Sequence, residues 1–128
     1  MALTKIRAAA LPSDTVLQVK EGGRTTRFEG TGGTSFADCG VSVAITPSST
    51  SSKILVRVSG SLGVSGGGTL NGVRALVKLF RDSTEIGSGT SGNTYNVFMA
   101  ALPLNSYDMY PFSQSTLDSP SSTSSITY

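Results

Sequence analysis

From residue 15 onward, apolar and polar positions alternate with a period of two, and that alternation predicts strands. In residues 15–20 (TVLQVK), Leu17 and Val19 share one face while Val16 and Gln18 share the other. Residues 24–29 (RTTRFE) predict a second strand, followed by a turn at 30–33 (GTGG). In residues 41–45 (VSVAI), Val41, Val43 and Ile45 point one way, and Ser42 and Ala44 the other. Residues 53–59 (KILVRVS) set Ile54, Val56 and Val58 against Leu55, Arg57 and Ser59. The longest expected strand is 73–81 (VRALVKLFR), about 30 Å at ~3.3 Å per residue. Its Val73, Ala75, Val77 and Leu79 oppose Arg74, Leu76, Lys78 and Phe80, so both faces carry something apolar. Residues 82–85 (DSTE) read as a hairpin turn into Ile86, and 95–100 (YNVFMA) as a further strand. Short strands are expected near 109–114 and 125–128, punctuated by Pro103, Pro111 and Pro120.

Several short strands joined by Gly, Ser and Pro loops define an all-β chain, expected as an antiparallel β-sandwich or a barrel. Residues 1–14 stand apart as a short N-terminal arm. Leu3, Ile6 and Ala10 have rough helical spacing there, and Pro12 stops it. Residues 15–128 form one expected domain, since no internal repeat or linker divides them. The apolar stretch at 8–11 is far shorter than a signal-peptide core, and no run approaches the ~18 apolar residues of a membrane-spanning helix. No membrane partner is therefore expected.

Composition narrows the chemistry. Ser (21), Thr (15) and Gly (15) dominate a chain of 128 residues, while charged residues are 14 %, well below the ~25 % usual for a soluble domain. With no His and a single Cys, neither a Ser–His–Asp nor a Cys–His constellation can form, nor a Cys/His zinc site or an intrachain disulfide. A net charge of +2 is too small and scattered to mark a nucleic-acid footprint, so no nucleic-acid partner is expected.

The remaining chemical signals are weak. Gly87, Gly89 and Gly92 match the dinucleotide-binding spacing, yet that fingerprint needs a following helix to receive the pyrophosphate. Residues 93–98 (NTYNVF) read as strand instead, so the glycines read as a loop and no cofactor is expected. The eight acids Asp14, Glu21, Glu29, Asp38, Asp82, Glu85, Asp108 and Asp118 lie in or beside expected turns, where they cap backbone or face water. No Ser lies three positions before a Lys, and Cys39, lacking a His base, reads as a buried apolar side chain. Lys53, Arg57, Arg74 and Lys78 fall on the less apolar strand faces, as solvated or cross-strand partners. Tyr107, Tyr110 and Phe112 cluster within six residues around Pro111. Such aromatics serve a core or subunit interface, or stack on a sugar ring.

The order of segments resembles small β-rich virion proteins of tailed phages. The resemblance rests on residues 1–6 (MALTKI), 16–19 (VLQV), 34–38 (TSFAD), 41–47 (VSVAITP) and 48–56 (SSTSSKILV). Residues 78–81 (KLFR) with 84–87 (TEIG), and 117–120 (LDSP) with 127–128 (TY), complete it. It covers nearly the whole chain. It implies a jelly-roll-like sandwich of the kind found in tail fibres and virion surface appendages, commonly trimeric, and offers no catalytic residues. In that pattern a further strand or two follows the equivalent of Thr127 and Tyr128. A sandwich lacking them is expected to carry an open edge that a neighbouring subunit covers.

The leading expectation is thus a non-enzymatic phage structural protein: a tail fibre or tail-associated protein, with a capsid decoration protein as the close alternative. It would assemble as a homotrimer on the virion and attach to other virion proteins through the arm 1–14. A carbohydrate-binding module contacting a host-surface glycan through Tyr107, Tyr110 and Phe112 is the second class. An enzyme assembled from scattered carboxylates is the third.

Overall fold

A computed structural model of the chain describes residues 15–30, 35–63, 75–88, 99–100 and 109–128. The arm 1–14 lies outside these, as do Val73, Arg74, Tyr107 and residues 95–98 of one expected strand. The described residues are all-β and contain no helix. In chain order the strands are β1 (Ala44–Ile45), β2 (Ile54–Gly63), β3 (Leu76–Val77), β4 (Leu79–Arg81), β5 (Thr84–Ile86), β6 (Met99–Ala100), β7 (Met109–Asp118) and β8 (Ile126–Thr127). They pair as four antiparallel two-stranded ribbons: β1 with β8, β2 with β7, β3 with β6 and β4 with β5.

The β2–β7 ribbon is the framework. It runs from Ile54 opposite Asp118 to Gly63 opposite Met109 without a break in register. Residues directly opposite share a face. One face therefore carries Ile54, Val56, Val58, Gly60 and Leu62 with Asp118, Thr116, Gln114, Phe112 and Tyr110; the other carries Leu55, Arg57, Ser59 and Ser61 with Leu117, Ser115, Ser113 and Pro111. Both strands outrun their apolar alternation, β2 past Ser59 and β7 past Gln114, because the pairing continues through Ser and Gly.

The core forms where this ribbon meets the ends of two others. Val56, Leu79, Ile126 and Tyr128 are buried, and Val43, Ile45, Ile54, Val58 and Ile86 pack around them. Burying each such aliphatic side chain stabilises by about 1.5–3 kcal/mol. Val43 and Tyr128 extend the β1–β8 ladder by exchanging two backbone hydrogen bonds of 2.9 Å. The β4–β5 hairpin turns through Asp82 and Ser83, with Asp82 at φ 50°, a conformation Asp tolerates better than most residues. Its tip is tied to β8: the Asp82 N–H donates to the Thr127 carbonyl at 2.7 Å, and the Thr127 N–H donates to Asp82 Oδ1 at 2.9 Å.

Three expectations change. The strand expected over 73–81 is divided at Lys78, because β3 pairs with β6 (Leu76 opposite Ala100) whereas β4 turns to β5 (Leu79 opposite Ile86). The longest strands are β2 and β7, of 10 residues each. Residues 15–20 and 24–29 form no strand, since no neighbouring edge among the described residues receives their backbone groups.

Cys39 is exposed rather than buried. It lies in a polar loop in which Asp38 Oδ1 accepts the Gly40 N–H at 2.7 Å and Gly40 takes φ 72°. Arg24 organises the same region, donating to the Cys39 carbonyl at 2.8 Å and to the Thr26 carbonyl at 3.0 Å. Its guanidinium also stands 5.7 Å from the Phe28 ring centre.

Candidate functional site

Two of the three aromatic residues expected to form a contact surface are brought together. Tyr110 and Phe112 are two apart on β7 and share the face opposite Leu62 and Gly60; Tyr107 lies outside the described residues. Phe112 is half-buried because its ring lies over Gly60. A Cβ built at that glycine would come 3.1 Å from Phe112 Cε1. Gly60 thus makes the seat for the ring, and Tyr110 remains exposed beside it. The pair offers one accessible aromatic surface, with no carboxylate alongside in the β2–β7 register.

A second constellation, which spacing does not reveal, closes the core. Arg81 on β4 donates from Nη1 to Asp118 Oδ1 at 2.9 Å and Oδ2 at 3.1 Å. The Tyr128 hydroxyl donates to the same Oδ2 at 2.5 Å. Strand alternation places these groups: Arg81 shares the core-facing side of β4 with Leu79, and Asp118 ends the core-facing side of β7 opposite Ile54. Burial would raise the Asp118 carboxyl. The hydrogen bonds from Tyr128, Arg81 and the Ser119 backbone, with the Arg81 charge, outweigh it and hold the group below its ordinary value. Burial first, and then the bond to Asp118, hold the Tyr128 phenol well above its ordinary value. The carboxylate stays ionised and the phenol protonated at neutral pH. The arrangement is that of a structural clasp across β4, β7 and β8.

Asp118 therefore departs from the turn or surface role expected of the acids, and so does Glu85. Glu85 lies within β5 and accepts a 2.7 Å bond from Lys78; Lys78 Nζ also stands 4.7 Å from the Phe36 ring centre. Of the other expected cations, Lys53 donates to Ser119 Oγ at 2.7 Å, Arg57 is exposed opposite Ser115, and Arg74 lies outside the described residues. Arg27 and Glu29 form an exposed ion pair. Among the described residues no group of three or more His, Cys, Asp or Glu side chains comes together that could hold a metal ion. No helix among them is long and apolar enough to cross a membrane.

No family model, no curated protein and no solved structure matches this chain.

Proposed function

We propose that this chain is a structural subunit of a phage virion, a tail fibre or tail-associated surface protein, built as a jelly-roll-like β-sandwich and assembled as a homotrimer. The observation that carries the assembly is the outer face of the β2–β7 ribbon. Leu55 and Leu117 stand directly opposite one another there and are 69 % and 63 % exposed. A cross-strand leucine pair facing water gains little for a single chain, whereas the same pair against a neighbour is removed from water twice over. The resemblance of segment order supports the virion assignment, and the sparsely charged, hydroxyl-rich composition suits a surface that packs against copies of itself. Light scattering on the purified protein tests assembly: a trimer is expected, and a monodisperse species of 13.2 kDa would overturn it. Mass spectrometry of purified particles tests location and, with labelling in electron micrographs, separates tail from capsid decoration.

The exposed Tyr110 beside Phe112 favours a second reading, a glycan-contacting surface on the same subunit. Binding on a glycan array that is lost in Tyr110→Ala with assembly intact would establish it, and an array without binding removes it.

A further inference from the structure

We infer that the subunits are joined by strand donation: residues 16–20 of one copy add to the open edge of β2 in the next. This rests on the homo-oligomer reading above and names its contact.

The donor is a strand by sequence that lacks a sheet. Residues 16–20 alternate as cleanly as β2 does, yet they take no strand, turn or helix and are exposed throughout. Val16 is 76 %, Leu17 51 % and Val19 81 % exposed. Among the described residues these five have no backbone hydrogen bond. The segment leaves the body of its own chain at a fixed point. Gly22 passes so close to the residues just before β1 that a Cβ there would lie 2.5 Å from the Ser42 carbonyl oxygen. From that anchor, six residues reach up to about 20 Å at ~3.3 Å each, enough to lie along a neighbour.

The acceptor is identified by proline. Among the described residues, β2 and β7 each have one edge paired and one edge open. Pro111 of β7 pairs with Ser61 and has no N–H, so that pair must be one whose backbone groups point away from the partner strand. Alternation then sends the N–H and C=O groups of Leu55, Arg57, Ser59 and Ser61 out along the open edge of β2. On β7 the corresponding outward row is interrupted by Pro111 itself, a feature that guards edges against pairing. The β2 edge has no such guard along its length. A donated strand with Leu17 and Val19 toward the Val56 side extends the core layer, and Val16 then joins Leu55 on the outer face. Giving one strand and receiving another is a heterologous contact, and three such contacts around a rotation axis close a ring.

The test pairs two variants with hydrogen exchange on the unaltered protein. Q18P/V19P removes one donor of each alternation phase, so that a donor facing β2 is lost in either strand direction, from a segment with no strand partner among the described residues of its own chain. S59P removes one outward donor from β2 and leaves the β7 ladder intact. Each is expected to raise the concentration at which the oligomer dissociates about tenfold or more by light scattering, with the far-ultraviolet dichroism of the monomer unchanged. Alternate amides of residues 16–20 should be protected in the oligomer and exchange freely after dilution to monomer. An oligomer that survives both variants, with 16–20 unprotected, overturns strand donation and leaves the homo-oligomer standing. Protection of 16–20 that persists in the monomer also overturns it, by assigning the strand to its own chain. A protein monomeric at every concentration overturns both.

Discussion

The clasp of Arg81, Asp118 and Tyr128 makes the sharpest prediction about stability. A surface ion pair contributes about 0–1 kcal/mol, and hydrogen bonds to a charged group contribute about 1.5–3 kcal/mol. Breaking a buried pair by removing one partner costs about 3–5 kcal/mol. Asp118 is half-buried and accepts from two different strands at 2.5–2.9 Å, so it lies between these cases. Tyr128→Phe keeps the buried ring and deletes one charge-assisted bond, and is expected to cost about 1.5 kcal/mol. Asp118→Ala strands both the Tyr128 hydroxyl and the Arg81 guanidinium, and is expected to cost about 3 kcal/mol. The double variant should cost less than the sum, with a coupling of about 1 kcal/mol or more. In urea, at m of about 1–3 kcal/mol/M, the Asp118→Ala midpoint should fall by about 1–3 M, at fixed protein concentration because assembly adds its own stability. A loss below about 0.5 kcal/mol, as at an ordinary surface position, would refute the clasp.

The same network has a pH signature. The Asp118 carboxyl is held below its ordinary value of 3.8, so the unfolded chain takes up the proton first as pH falls. Its contribution is therefore complete above about pH 5 and is lost as pH falls toward and through the lowered folded value. Asp118→Asn should flatten that acid limb. The Tyr128 phenol is raised from 10.0, so its contribution is complete below about pH 9 and is lost as pH rises past 10, a limb that Tyr128→Phe removes.

Three further outcomes are expected. Gly22→Ala drives a Cβ to within 2.5 Å of the Ser42 carbonyl, while Gly23→Ala meets nothing within 4 Å; the first should cost about 1–3 kcal/mol by denaturant unfolding and the second nothing measurable. Lys78→Met leaves Glu85, whose Oε1 is already buried without a partner, with no counter-charge. It should cost about 1–3 kcal/mol, most of it recovered in K78M/E85L, and equal losses in both variants would count against a coupled pair. Cys39, exposed in its loop, should react with a maleimide in the folded protein about as fast as in urea, and a thiol that reacts only on unfolding would place it in a contact between copies.

How far the sequence was readable depends on which question each residue answers. Alternation identified which side chains share a face, and there it succeeded. Ile54, Val56 and Val58 turn to the core and Val43 and Ile45 do likewise, whereas Val41 of the same expected face is exposed. Of the turn expected over 82–85, Asp82 with Ser83 makes the turn of the β4–β5 hairpin and Thr84 and Glu85 belong to β5. It could not identify partners, because pairing is set by register between segments remote in the chain. Arg81 and Asp118 are 37 positions apart, and no local pattern distinguishes Asp118 from an acid capping a turn. Nor did alternation end where the strands end: residues 115–118 offer no period, yet β7 continues through them because β2 lies alongside. The reverse case is the most informative. Residues 16–20 carry the same period as residues 54–58, and only the second set becomes a strand in this fold. The difference lies outside both segments, in whether another strand of the chain pairs with their backbone groups. A well-patterned segment without a sheet, beside a β2 strand whose second edge is open and unguarded among the described residues, therefore argues for a contact between chains rather than for a weak strand.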